Sequence, residues 1–208
     1  MKKPQQLRII AAAVIAAGIA SVASTGARAD VVTDVAAPFS AAARLDFRII
    51  IPGFLRFRVG TNAINSIDMI TFDMTSTPAD VGNSVAQAGT GGDVGGGAAT
   101  VLIQANNGQV TITESNSSVT LGLGTGTASD GYISYAQITT AVSGDAQLTA
   151  PTLSNAGGGT STPTLSAGKV TNRTAVWTYG YANTTIPSAG TYGTLTNGGR
   201  VTYTASTP

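Results

Sequence analysis

The side chains that could do chemistry are few. The chain has no cysteine and no histidine, a single glutamate (Glu114) and, beyond its first three residues, a single lysine (Lys169). Without an imidazole no group shuttles protons near neutrality, and without a thiol the usual strong nucleophile is absent. A Ser-His-Asp arrangement is impossible. Two carboxylates flanking a sugar linkage could hydrolyse it, but the acidic residues are scattered singly along the chain. The expectation is a non-enzymatic protein with no cofactor, no catalytic residue and no metal site.

Three constellations invite a sharper reading. The run Gly89-Thr90-Gly91-Gly92-Asp93-Val94-Gly95-Gly96-Gly97 looks like a phosphate cradle, but a P-loop needs Lys followed by Ser or Thr, and Val94 breaks the dinucleotide spacing. Calcium-binding repeats need iteration and more acids than Asp93 alone. The plain reading is a mobile surface loop. Arg44, Arg48, Arg56 and Arg58 gather in fifteen positions and give a basic face for an acidic polymer or a partner subunit. The plainer alternative is a solvated face whose charge discourages edge pairing. Trp177, Tyr179 and Tyr181 alternate along one segment and could stack a sugar ring, although alternating aromatics more often form a core face. Asn116-Ser117-Ser118, Asn172-Arg173-Thr174 and Asn183-Thr184-Thr185 match the glycosylation sequon, and in a bacterial-looking export product read as polar loops.

The elements that must position these residues follow from composition. Lys2, Lys3 and Arg8 precede an apolar stretch from Ile9 to about Ala23, and Ala27-Arg28-Ala29 is a small-x-small cleavage site. Residues 1–29 therefore read as a secretory signal. Removing 29 of 208 residues leaves 179, enough for one domain. Four of the eleven basic residues lie in that signal, which leaves seven against ten acidic groups and a net charge near −3. A nucleic-acid stripe is not expected. The signal's apolar part is too short to span a bilayer comfortably, and no later run reaches the roughly 18 apolar residues of a membrane helix.

Abundant Thr, Gly and Val predict an all-β chain. From 31 to 51 the odd positions Val31, Val35, Phe39, Leu45, Phe47, Ile49 and Ile51 are apolar, while Asp34, Arg44, Asp46 and Arg48 fall between them. Period-two alternation predicts an extended segment with one face buried. Its first part, residues 30–43, is alanine-rich and is expected as an arm ahead of a single domain over 44–208. The pattern resumes after a turn at Pro52-Gly53 with Leu55, Phe57 and Val59. Further strands are expected over 67–74, 118–123, 132–142 (less regular, with some helix), 174–181 and 200–205, with 150–169 loop-rich. The clearest hairpin joins Val101 and Ile103 to Val110 and Ile112 through Asn106-Asn107-Gly108, because Asn-Gly supplies the positive φ of tight turns. Roughly eight short strands predict a sandwich or barrel.

The carboxyl end, Ser188-Ala189-Gly190-Thr191-Tyr192 followed by Val201-Thr202-Tyr203-Thr204, resembles the closing hairpin of secreted bacterial β-sandwich proteins. These are the chaperone-usher pilin subunits and the WxL-type surface proteins. The resemblance covers the signal, the arm and the last twenty residues. It departs in lacking a disulfide pair and a glycine midway along the arm, and Trp177 is followed by Thr178-Tyr179 rather than the WxL signature. It implies an immunoglobulin-like or pilin-like sandwich, exported through the periplasm to the cell surface of a Gram-negative-type bacterium as a fimbrial or adhesive subunit. The implied partners are other copies or related subunits, with a periplasmic chaperone and usher. The arm would complete a neighbour's sheet through Val35, Phe39, Leu45 and Phe47, with Arg48, Arg56 and Arg58 beside them. The alternatives are a monomeric carbohydrate-binding adhesin using Trp177, Tyr179 and Tyr181, and a small outer-membrane β-barrel.

Overall fold

The computed structural model describes residues 31–208, with 64, 119 and 120 excepted; the expected signal and its cleavage site lie outside the described residues. The chain divides into two units, Met1–Ile50 and Ile51–Pro208.

In the first unit residues 31–50 form no strand. The Asp34 carboxylate accepts from the backbone N–H of Ala36 (3.1 Å) and of Ser40 (2.9 Å) and so closes a local turn. These bonds hold its carboxyl below the usual range, that from Ser40 most. An aspartate satisfying nearby N–H groups offers the backbone an alternative to a ladder, so the alternation is interrupted near its start. The row expected to be buried is exposed: Val35 86%, Phe39 73%, Leu45 69%, Phe47 86% and Ile49 84%.

The second unit is all-β and antiparallel. Its larger sheet contains β1 (Leu55–Val59), β3 (Gln87–Ala88), β5 (Ala98–Ala105), β9 (Ile138–Gly144) and β11 (Thr171–Tyr181). β11 is central, with β9 on one side and, end to end on the other, β5 and β3; β1 lies outside β5. A three-stranded sheet orders β10 (Thr160–Ser161), β6 (Thr111–Asn116) and β12 (Val201–Ser206). Two small pairs complete the set, β2 (Ile70–Thr71) with β4 (Thr90–Gly91) and β7 (Leu123–Gly124) with β8 (Tyr132–Ile133). Among the described residues the strands form four sheets with free edges rather than one closed ring.

Alternation builds the core. β11 buries Thr171, Ala175, Trp177, Tyr179 and Tyr181, β5 buries Val101, Ile103 and Ala105, and β6 buries Ile112 and Glu114. One apolar cluster joins both sheets, with Phe57, Val59, Val201, Tyr203 and Ala205 packed against it, an arrangement consistent with a β-sandwich.

Several expectations need correction. Neither a turn nor a bend falls at Pro52-Gly53; residues 52–54 lead into β1, stapled by Asn106. That side chain accepts from Phe54 N–H (2.8 Å) and donates to Pro52 O (2.8 Å). Second, β5 and β6 are not a hairpin: they belong to different sheets, so Asn106-Asn107-Gly108 forms a corner across the core. Third, the glycine-rich stretch is a built turn. Gly97 N–H donates to Gly91 O (3.0 Å), Tyr179 N–H to Gly97 O (2.9 Å), and Thr100 N–H to the Asp93 carboxylate (2.7 Å). A Cβ on Gly92, at φ +79, would sit 2.0 Å from Ala98 O. The glycines serve close backbone approach. The segment expected as a strand over 67–74 pairs at Ile70–Thr71, and among the described residues of 118–123 the pairing is at Leu123.

Candidate functional site

The two flanks of the sandwich differ, and the difference defines the candidate site. On one flank the chain crosses from β9, at the edge of the larger sheet, to β10, at the edge of the smaller. This connection seals the core. Leu148 is fully buried, Leu153 is 5% exposed, and Pro151 and Pro163 are buried too. Trp177 Nε1–H donates to Leu148 O at 2.8 Å. Arg173 clamps the outside, with Nη1 on Asp145 Oδ2 (2.6 Å) and Nε on Thr164 O (2.5 Å). The Asp145 carboxyl lies below its usual range, first because Gln147 N–H donates to it and then because of Arg173.

On the other flank β1 and β12 approach each other, and each is paired on one side only, β1 with β5 and β12 with β6. Among the described residues of the second unit neither strand has a ladder partner on its other side. Phe57, Val59, Val201, Tyr203 and Ala205 face the core yet stay partly exposed, and Leu55 at the end of β1 is 38% exposed. On β1 the exposed Arg56 and the half-buried Arg58, whose Nε is buried without a protein partner, alternate with these residues, and on β12 the exposed Thr202, Thr204 and Ser206 do so.

Beneath the seam lies a polar cluster in an apolar setting. Tyr203 and Tyr179 share a hydroxyl–hydroxyl bond of 3.0 Å, and Trp177 meets Tyr203 edge-on at 5.2 Å between ring centroids. Tyr203 stands opposite Glu114 in the ladder. Glu114 is fully buried; its Oε1 accepts from Ser154 N–H (3.3 Å), and its Oε2 has no protein partner. Tyr135 donates its phenol to Gly198 O. Burial pushes the Tyr179 hydroxyl up to about 12, and burial, then the Glu114 charge, pushes Tyr135 up to about 12. Tyr203 is also raised, chiefly by burial. These phenols stay neutral at any ordinary pH, and they hold the sheets together.

Trp177, Tyr179 and Tyr181 fall on one face, and that face is the core: they are 0%, 8% and 6% exposed. Sugar stacking by Trp177 is thereby corrected, because no ring face is open to a ligand. Arg56 and Arg58 lie together on β1, while Val35, Phe39, Leu45, Phe47 and Arg48 belong to the first unit. Among the described residues no three His, Cys, Asp or Glu side chains cluster as a metal site would require, and no helix is long and apolar enough to cross a membrane. An open depression of about 420 Å³ on the larger sheet is lined by Ala86, Ala88, Thr139, Ala141 and Gly180 among others, and has no charged wall.

Sequence reasoning missed Glu114 as a core residue, although it shares parity with Val110 and Ile112. It also missed two structural asparagines. Asn183, in a sequon, is fully buried and holds residues 80–85: its Nδ2 donates to Asp80 O (2.8 Å), and its Oδ1 accepts from Gly82 N–H (2.8 Å). Asn116 donates to Ser154 O (2.7 Å). Comparison with protein-family models, curated proteins and solved structures finds no match.

Proposed function

We propose that the chain is an exported, non-enzymatic structural subunit of a bacterial surface assembly, an immunoglobulin-like or pilin-like sandwich that gives its amino-terminal arm to the sheet of another copy. One observation carries the reading. The arm and the residues that follow it keep a period-two apolar row, and in the single chain that row is exposed at Val35, Phe39, Leu45, Phe47 and Ile49. Contiguous exposed apolar surface marks an interaction site. An extended segment with alternating side chains is suited to adding a strand, where main-chain hydrogen bonds give affinity and alternate side chains give register.

The test compares the chain from Asp30 to Pro208 with its Leu45→Ser, Phe47→Ser, Ile49→Ser variant by size exclusion with light scattering. The expected result is concentration-dependent oligomers in the first and monomer in the second. Monomer in both, or the same oligomer in both, overturns the proposal.

A further inference from the structure

The outer face of the larger sheet carries positive charge and no carboxylate. Phe57 and Val59 pack into the core, so Arg56 and Arg58 fall on the opposite face of β1. No aspartate or glutamate occurs in β1, β5, β9 or β11. Arg173 is held by Asp145 at 2.6 Å, whereas among the described residues neither Arg56 nor Arg58 forms an ion pair. Two side chains on one face of a strand leave it about 7 Å apart. At that separation the two guanidinium groups repel, and an anion laid against both relieves the repulsion. Arg56 is exposed; Arg58 is half-buried, and its Nε is shielded from water without a protein acceptor. A packed guanidinium has less rotamer freedom to lose on binding.

The ladders set the neighbours of each arginine. Arg56 stands beside Gln104 and then Asn172, and Arg58 beside Leu102 and then Thr174. Gln104 Nε2 donates to Asn172 Oδ1 at 3.2 Å, which lines the two amides up along the row. Gln104 Oε1 and Asn172 Nδ2 keep the capacity to accept from one hydroxyl and donate to another. Across three strands the patch is about 10 Å wide, room for a short stretch of sugar. Its parts match a sugar acid. Guanidinium groups suit a carboxylate, the amides suit hydroxyls, and Leu102 offers an apolar contact to a ring face. Nucleic acid fits less well, because the aromatics of β1 and β11 all face the core and leave no platform for a base.

From this juxtaposition we propose that the patch formed by Arg56, Arg58, Gln104 and Asn172 binds an acidic polysaccharide through its carboxylates. The site is built from β1, β5 and β11 alone, so it stands or falls apart from assembly through the arm.

The test is affinity electrophoresis of the chain from Asp30 to Pro208 in native gels containing polygalacturonate, dextran, polyglutamate or duplex DNA. The expected result is retardation by polygalacturonate and none by dextran. Arg56→Gln and Arg58→Gln should each weaken the apparent affinity for polygalacturonate about tenfold, the loss of a charge-assisted hydrogen bond. Arg200→Gln removes the same charge from an exposed position ahead of β12 and should change it by less than about twofold. Arg56 is exposed, so Arg56→Gln tests the site even where Arg58→Gln lowers stability, which the unfolding midpoint reports. Gln104→Ala should weaken binding to polygalacturonate and leave binding to polyglutamate unchanged, since only the sugar offers hydroxyls. No retardation by polygalacturonate, or an equal loss in Arg200→Gln, overturns the site. Tighter binding of DNA through the same arginines, or a Gln104→Ala variant that binds both acidic polymers like its parent, overturns the assignment to a polysaccharide.

Discussion

The sealed and the open flank of the same sandwich use the same kinds of residue differently. On the sealed side an aromatic, Trp177, is tied by its indole N–H to a carbonyl of the covering connection, and Leu148 and Leu153 of that connection are buried. On the open side Tyr203 and Phe57 pack inward without a cover. The difference separates side chains that hold this chain together from side chains left over once it is folded. The first should govern stability, the second association.

The largest expected effect tests that division. Trp177→Ala should cost about 3–5 kcal/mol, combining lost burial and a cavity, in guanidinium unfolding of the chain. Gly92→Ala, which forces a Cβ against Ala98 O in a left-handed backbone, should cost about 1–3 kcal/mol by the same measurement. A smaller loss would mean that the glycine-rich turn yields easily. Tyr203→Phe, which deletes the phenol bond at the open seam, should cost about 0.5–1.5 kcal/mol.

Alkali should act through the same cluster. Tyr135 and Tyr179 ionise near 10 when unfolded but near 12 when folded. A raised folded-state value means that their contribution is complete below about pH 10 and is lost as pH climbs toward 12. The urea midpoint should therefore fall across pH 10–12, and fall less steeply in Tyr179→Phe. The smallest effect is expected at Phe47→Ser: a change in unfolding free energy within about 0.5 kcal/mol, accompanied by weaker self-association. A large loss of stability there would mean that Phe47 supports the fold instead of being left over once the chain has folded.

In the second unit the longest strands were legible from alternation, whereas the equally regular row over 45–50 forms no strand. β11 and β12 were visible because Trp177, Tyr179 and Tyr181, or Val201, Tyr203 and Ala205, keep one parity through threonines, and the pleat converts parity directly into a buried face. The corner at Asn106-Asn107-Gly108 was misread because turn residues specify a local change of direction, not which sheet receives the next strand. The glycine run was misread for a related reason. Gly89 lies against Gly97 and Gly92 against Ala98, and such close approaches depend on distant partners that composition does not name. Alternation over 31–51 correctly indicated amphipathic character, but it could not say whether the apolar side is covered within one chain. Arg56 and Arg58 stood out as a basic face, and Glu114 did not stand out at all, because a solitary carboxylate in a threonine-rich strand looks like surface.

The Asn106 staple has a mechanical meaning. Any pull on the arm reaches the body at residues 52–54, where one amide grips both Pro52 O and Phe54 N–H, and passes into β1. The β1–β5 and β5–β11 ladders run antiparallel along that line, with hydrogen bonds perpendicular to the strands. A load directed along β1 would be shared in shear across many bonds at once instead of being peeled from one end. Tension applied along β1 is expected to be resisted better than tension applied across the β1–β12 seam.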